Sequence, residues 1–366
     1  MARAIQLARR GLYSTSPNPR VGCVLLKNGK IIGEGFHQQA GRGHAEVNAL
    51  AAAREAGCDV AGATAYVTLE PCSHHGKTPP CADALVAAGV RRVVIGMLDP
   101  NPLVSGRGIA RLADAGIEVH APLLEDEARA LNPGFIKRME TGLPWVFAKT
   151  ASSLDGRTAM RSGESQWITG PAARADVQKL RARSCAIVTG MGTVREDNPA
   201  LTVRDESLAL PGMLLRQPLR VILDSQLRID PAAKILEQPG NVLLVHASDN
   251  PAKQAELNGK GVETVQLANA EGRIDLQALL QELAGRQCNE VMLESGATLL
   301  GAFLQAGLVD ELVCYQAPCL LGSDARPLAE LPLTAMAEKI ALDILSIRQV
   351  GDDIRIQARP YYAKAD

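Results

Sequence analysis

The sequence predicts a two-domain α/β protein, and three observations lead there. At 366 residues, 46% hydrophobic and 22% charged, the chain can fill two cores of common domain size. Short β-branched runs alternate with helix-forming runs along its length, the pattern of helices packed on both faces of a sheet. Near residues 141–144 a Thr-Gly-Leu-Pro stretch interrupts that pattern just before a new strand. The expected domains are therefore residues 1–143 and 144–366.

The elements follow in order. Residues 2–10 have helical spacing, and residues 21–36 (VGCVLLKNGKIIGEGF) read as two strands joined at Asn28-Gly29, a hairpin signal. Residues 44–56 (HAEVNALAAAREA) are rich in strong helix formers and stop at Gly57, a natural cap. A strand over 63–69, a helix over 82–88 and a short buried strand over 92–97 come next, then a helix-like run over 123–140. In the second half strands are expected at 145–149, 186–189, 219–223, 242–245, 291–294 and 311–316, with helices near 172–183 and 276–283. Residues 205–216 and 247–258 read as surface loop or helix edge, and no repeat or low-complexity tract is present.

Composition removes several function classes. Thirty-nine basic and forty acidic side chains leave a formal charge of −1, so no overall field gathers nucleic acid or an anionic membrane. No apolar run approaches the ~20 residues that span a bilayer. The opening MARAIQLARRGLYS carries charge in every turn and lacks a signal-peptide core, so the expected location is cytoplasmic. In that reducing setting eight cysteines are better read as metal or catalytic groups than as a disulfide framework.

The densest chemistry lies in EPCSHHGKTPPC, residues 70–81. Its two cysteines are too far apart for a zinc ribbon and need a third ligand from elsewhere. His44 in GHAEV supplies it, because His-x-Glu followed by Pro-Cys is the zinc-deaminase signature, in which one His and two Cys hold the metal and the Glu does not. The expected ligands are His44, Cys72 and Cys81, with Glu46 as the proton carrier. Three such ligands leave a fourth position for a water that the metal acidifies to hydroxide, and a nearby carboxylate then shuttles protons to the ring nitrogen and the departing ammonia. A structural zinc would take a fourth protein ligand, for which His74, His75 or Cys58 is available. His44 and Glu46 are two apart, about 200° around a helix, so both reach one site only at the helix start.

The chain resembles the bifunctional deaminase/reductase family of riboflavin biosynthesis. The likeness rests on SPNPRVGCV, GHAEVNAL, TLEPCSHHGKTPPC and DPNPLVSGRG in the first half. In the second it rests on SLDGRTA, GESQWIT, DNPALTVR, VILDSQ, LESGATLLGAFL and LVDEL with LLGSDARPL. The resemblance implies a cytidine-deaminase-like first domain that removes the 2-amino group of a pyrimidinone carrying ribose 5-phosphate. It implies a dihydrofolate-reductase-like second domain that uses NADPH to reduce the ribosyl group to ribityl. The implied partners are small phosphorylated pyrimidines, with neither nucleic acid nor membrane; a homo-oligomer is left open.

It also implies roles for single residues. Asn18, His37, His74, Lys77 and Asn101 fall in deaminase substrate segments, Lys77 as a phosphate contact or else a solvated loop lysine. Ser165, Arg181, Leu201, Arg204 and Glu294 match reductase substrate positions, the two arginines suited to phosphate by their fork of donors. Ala151, Trp167, Thr193, Asp197 and the run Gly296, Ala297, Thr298, Leu299, Leu300, Gly301, Ala302 match NADPH positions. Residue spacing alone is weaker here: Gly190-Met191-Gly192-Thr193 lacks the third glycine of a dinucleotide turn and reads as a strand-end turn. The Glu294–Thr298 stretch reads better, as a strand end, small residues and a helix start with free N–H groups. Lys149 is the candidate to polarise the sugar carbonyl or imine.

Overall fold

The computed structural model describes residues 1–73, 79–102 and 104–362. They divide into two compact units, one of residues 1–143 with 209–214, the other of residues 144–208 with 215–366. The hexapeptide 209–214, expected to be surface loop of the second domain, thus belongs with the first.

In the first unit the helices are α1 (Ala2–Arg9), α2 (Ala45–Glu55), α3 (Cys81–Ala87), α4 (Arg107–Asp114), α5 (Glu125–Arg129) and α6 (Pro133–Thr141). The strands are β1 (Gly22–Lys27), β2 (Lys30–Phe36), β3 (Thr64–Val67), β4 (Arg92–Ile95) and β5 (Glu118–His120), in sheet order β2-β1-β3-β4-β5. β1 is antiparallel to both β2 and β3, and β3, β4 and β5 run parallel. Because side chains alternate across a strand, Cys23 and Leu25 of β1 pack with Ala45, Ala49 and Ala53 of α2, while Val24 faces Ala4 and Leu7 of α1. Partly buried Leu210, from the added hexapeptide, packs on that second cluster. Helix α2 sits hard against β2: a Cβ on Gly35 would lie 2.4 Å from the Ala45 carbonyl oxygen. That contact fixes the start of α2, where the sequence places its metal chemistry.

The run 123–140, expected as one helix, is two. Leu124 adopts φ 56°, α5 ends at Arg129, and Pro133 starts α6 at the position where a missing N–H costs nothing. Helix α4 and strand β5 were not expected from the sequence.

The second unit has β6 (Trp145–Ser153), β7 (Arg157–Ala159), α7 (Pro171–Arg183), β8 (Ala186–Gly190), α8 (Met191–Asp197), β9 (Leu219–Leu223), α9 (Lys234–Glu237), β10 (Val242–His246), α10 (Pro251–Gly259) and β11 (Glu263–Gln266). It continues with α11 (Leu276–Gly285), β12 (Glu290–Leu293), α12 (Ala297–Gln305), β13 (Glu311–Ala317), β14 (Arg326–Pro327), β15 (Ala341–Val350) and β16 (Asp353–Tyr361). Nine strands form one sheet in the order β11-β10-β9-β8-β12-β6-β13-β16-β15, while β7 and β14 pair separately. From β11 to β13 every pair is parallel; β16 and β15 turn antiparallel. Parallel strands covered on both faces read as near-continuous apolar runs, and β10 and β12 are wholly buried, apolar except for His246 at the end of one and Glu290 at the start of the other. The stretch 190–193, expected as a strand-end turn, passes directly from β8 into α8. The C-terminal hairpin of β15 and β16 was not expected, and α10 lies in a stretch read as loop or helix edge. Among the described residues no helix is long and apolar enough to cross a membrane.

Candidate active sites

In the first unit, His44 is the N-cap of α2, with extended backbone (φ −72°, ψ 173°). Being outside the helical turn, it escapes the 200° separation from Glu46 that a regular helix would impose. Cys72 follows the end of β3 and Cys81 is the first residue of α3, after Pro80. His44 Nδ1 lies 3.6 Å from Cys72 Sγ and 3.2 Å from Cys81 Sγ. The Cys81 backbone N–H donates to Cys72 Sγ at 3.4 Å. All three side-chain donor atoms fall within 4.8 Å of one another, the one such metal-ligand group among the described residues.

The electrostatics match the geometry. Hydrogen bonding with the Cys81 thiol, then with His44 and the Cys81 N–H, holds the Cys72 thiol well below its ordinary range despite burial. Cys81, which gives that hydrogen bond and is itself buried, moves the other way. One imidazole and two sulfurs are the donor set that zinc prefers. Glu46 is 3% exposed and its Oε2 has no hydrogen-bond partner. Burial, then the neighbouring Cys72 charge, pushes its carboxyl up to about 7. An orphaned carboxylate oxygen beside three converging ligands is the arrangement a metal and a water would complete, so the residues present fit the group.

Asn18 and His37 are brought to the same place. The Asn18 amide lies 3.1 Å from His37 Nε2 and the Gly43 carbonyl 3.2 Å from His37 Nδ1, so one neutral tautomer satisfies both. Burial holds His37 down at about 4, and its ring meets that of His44 edge-on at 5.1 Å between centroids. His74 and Lys77 lie outside the described residues. Asn101 is part of a turn after β4, its N–H donating to Asp99 Oδ1 at 2.9 Å. Glu70, quoted in a motif but given no role from sequence, is 3% exposed and accepts four backbone N–H groups around that turn. Its only sequence signal is the Gly106-Arg107-Gly108 stretch, whose small residues let backbone approach a side chain.

In the second unit, neighbouring parallel strands set the cluster. Ala148 of β6 pairs with Leu293 of β12, so Lys149 and Glu294 follow side by side. Arg181 of α7 grips Glu294 with two bonds, Nη2 to Oε1 at 2.8 Å and Nε to Oε2 at 3.0 Å, and its Nη1 donates to the Thr202 carbonyl at 3.1 Å. Lys149 Nζ stands 4.0 Å from Glu294 Oε1. Burial pushes the Glu294 carboxyl up, but Arg181 and Lys149 outweigh it and hold it at about 2. Burial lowers Lys149, and Glu294 offsets part of that. Arg181, expected to offer its fork to phosphate, thus spends that fork on Glu294. Exposed Arg204 keeps its side chain available, while its N–H donates to Gln178 Oε1 at 2.8 Å. Leu201 adopts φ 49°, a left-handed conformation that a leucine holds only when its surroundings enforce it.

Of the residues expected at the cofactor, Ala151 is on β6, Thr193 and Asp197 are on α8, and Gly296 is the N-cap of α12, with Ala297 to Ala302 its first turns. Ser165, expected at the substrate, donates to Asp197 Oδ1 at 3.3 Å. A Cβ on Gly190, at the start of α8, would lie 3.5 Å from the Leu299 side chain, so α8 and α12 open beside each other. Trp167 is 70% exposed, with the Arg174 guanidinium 4.5 Å over its ring.

Comparison with known proteins places both units. The family model for the cytidine and deoxycytidylate deaminase zinc-binding region matches residues 1–97, and that for the RibD C-terminal domain matches residues 144–356. The riboflavin biosynthesis protein RibD of Escherichia coli K12 is 54% identical over 361 residues, 97% of this chain and 96% of that protein. Its counterpart in Haemophilus influenzae is 50% identical over 98% of this chain and 96% of its own length. A solved structure of Acinetobacter baumannii RibD superimposes with a TM-score of 0.90 at 49% identity, covering 99% of this chain and 98% of that one. A Thermotoga maritima structure, described as a diaminohydroxyphosphoribosylaminopyrimidine deaminase/5-amino-6-(5-phosphoribosylamino)uracil reductase, gives 0.86 at 35% identity, covering 99% and 97%. The fold is thus a cytidine-deaminase-like unit with zinc-binding chemistry and a dihydrofolate-reductase-like unit suited to a nicotinamide cofactor, as the resemblance implied. With that coverage and identity over both halves, the chain belongs to the RibD family of riboflavin biosynthesis proteins, enzymes that join a deaminase and a reductase in one polypeptide.

Proposed function

We propose that the first unit deaminates 2,5-diamino-6-ribosylamino-4(3H)-pyrimidinone 5′-phosphate and the second reduces the product with NADPH to 5-amino-6-ribitylaminouracil 5′-phosphate. The observation that carries the reading is the convergence of His44, Cys72 and Cys81 beside the partnerless Oε2 of Glu46. These three residues would hold zinc, whose Lewis acidity, when it is bound, lets a water attack near neutral pH. Glu46 does the proton work. Its carboxylate takes a proton from the attacking water, passes it to the adjacent ring nitrogen and then assists the leaving amine, which departs as ammonia. His37, held neutral, and Asn18 orient the pyrimidine, and Asn101, His74 and Lys77 are assigned to the same substrate.

In the second unit NADPH, when bound, supplies the hydride that reaches C1 of the opened ribosyl group. Lys149 faces the imine nitrogen that gains electron density there and donates the proton that balances the hydride. Glu294, fixed by Arg181, takes substrate hydroxyls, with Ser165 and Leu201 beside it, and exposed Arg204 is the phosphate contact. Ala151, Trp167, Thr193, Asp197 and residues 296–302 are assigned to NADPH, with the start of α12 offering its N–H groups to phosphate.

Two cysteines converging with His44 as a metal-binding group fit a reducing, cytoplasmic setting, which is the location proposed. Strand β15 is exposed along nearly its whole length with Leu342, Ile344 and Ile347 uncovered, and edge strands left apolar ordinarily gain a partner; a homo-oligomer built on that edge is proposed.

The test is zinc content measured together with coupled turnover. Purified chain holding one zinc should release ammonia from the diamino substrate and then consume NADPH. Chelation should stop the first step and leave NADPH consumption with the deaminated substrate intact. Ammonia release that persists without metal would end the zinc reading, and no NADPH consumption with the deaminated substrate would end the reductase reading.

A further inference from the structure

We infer that Glu70 is a positioning residue for deamination, its carboxylate holding the turn that carries Asn101 against the segment that carries Cys72. The inference rests on the roles proposed above for Asn101 and Cys72.

Glu70 is 3% exposed and immediately precedes Pro71-Cys72. Its own N–H donates to the Met97 carbonyl at 3.0 Å. Among the described residues no cationic side chain pairs with its carboxylate; the partners are four backbone N–H groups. Oε2 accepts from Asp99 at 3.2 Å and Gly106 at 3.0 Å, and Oε1 from Gly108 at 2.9 Å and Ile109 at 3.3 Å. A buried anion must be compensated, and here the compensation includes unsatisfied donors at the start of α4.

The pairing has a mechanical meaning. Oε2 takes the N–H groups of both Asp99 and Gly106 and so ties those two positions together. Between them the Asn101 N–H donates to Asp99 Oδ1 at 2.9 Å, and the Asn101 carbonyl accepts from Val104 at 2.8 Å and Ser105 at 2.9 Å. The other oxygen anchors the first turn of α4. That turn lies directly on the ligand segment, since a Cβ on Gly108 would stand 2.0 Å from the Pro71 carbonyl oxygen. A shift of the Asn101 turn relative to Cys72 therefore requires breaking bonds to one carboxylate. Only a carboxylate serves, because all four partners are donors. Glutamine has the same shape, but its NH2 would point at one pair of N–H groups and lose both bonds.

The experiment is steady-state kinetics of both half-reactions on full-length, zinc-loaded Glu70→Gln, with zinc content measured on the same preparation. The expected result is a fall in deaminase kcat/KM of about 10- to 100-fold, carried mainly by KM. Zinc should stay at the wild-type ratio and reductase kinetics should not move. Deaminase constants within about twofold of wild type would overturn the inference. So would a loss that tracks zinc release, which would make Glu70 a support for the ligand alone, or an equal loss in both half-reactions, which would mark general unfolding. Should Glu70→Gln fail to fold, Glu70→Asp retains the charge and both acceptors on a shorter stem. A KM rise with zinc retained is expected there, and wild-type KM would again overturn the inference. Asn101→Ala is run alongside. If it leaves KM unchanged while Glu70→Gln raises it, the Asn101 assignment falls and the positioning role of Glu70 stands.

Discussion

Replacing Glu46 by glutamine should make the zinc-free protein more stable at neutral and alkaline pH while nearly abolishing deamination. In the folded, zinc-free chain burial raises the carboxyl from 4.5 to about 7. A group raised in this way contributes its stability fully below 4.5, where both states are protonated. That contribution is lost as pH rises toward 7, because the unfolded chain ionises freely and the folded one does not. At about 1.4 kcal/mol per unit, the loss comes to ~3 kcal/mol. Glutamine has nearly the same volume and never ionises, so Glu46→Gln should escape the loss. Urea unfolding of both zinc-free proteins at about pH 4.5, 6 and 8, from the acid edge of that window to beyond its upper edge, measures it. Their midpoints should coincide in acid and separate in favour of the variant as pH rises. Deamination by the zinc-loaded variant should fall by about 10²- to 10⁴-fold, the usual share of a general acid–base. Parallel pH curves for the two proteins, or a variant that deaminates at the wild-type rate, would refute the reasoning.

Glu294→Gln should leave Arg181 and Lys149 facing each other without their shared anion, costing roughly 3–5 kcal/mol in the second unit; calorimetry should show it, with reductase turnover lost and deamination kept. His37 shows the opposite sign to Glu46: its folded value of about 4 lies below 6.5, so its stabilisation is present above 6.5 and is lost as pH falls toward 4. His37→Gln should therefore flatten the acid limb of the stability curve by ~3 kcal/mol, read from urea midpoints. Ile347→Asp on the exposed strand should shift sedimentation toward a smaller species without changing the monomer's melting profile.

Legibility in the sequence followed the range of the interactions. The hairpin at Asn28-Gly29 was readable because a tight turn is decided by its own residues, which adopt φ 51° and 74°. The zinc constellation was readable across distant segments because few side chains can hold a metal. Strand β15 was not, because the register shifts between Ile344 and Ser346 and destroys the period-two pattern, leaving apolar residues at consecutive positions. Helix over 123–140 was correct in type, but Pro133 and the left-handed Leu124 divide it. Glu70 stayed hidden for a different reason: its partners are backbone N–H groups, which carry no residue identity. The capture of Arg181 by Glu294, 113 positions away, was equally invisible.

The hexapeptide 209–214 gives the polypeptide an order of assembly. A ribosome finishes residue 143 well before it reaches 214, and everything from 144 to 208 must emerge in between. Nascent domains usually fold as soon as their last residue is clear. Here the Ala4, Leu7, Val24 and Phe36 cluster of the deaminase half lacks Leu210 until part of the reductase has been translated. Splitting the gene at the obvious seam would therefore strand that patch in water.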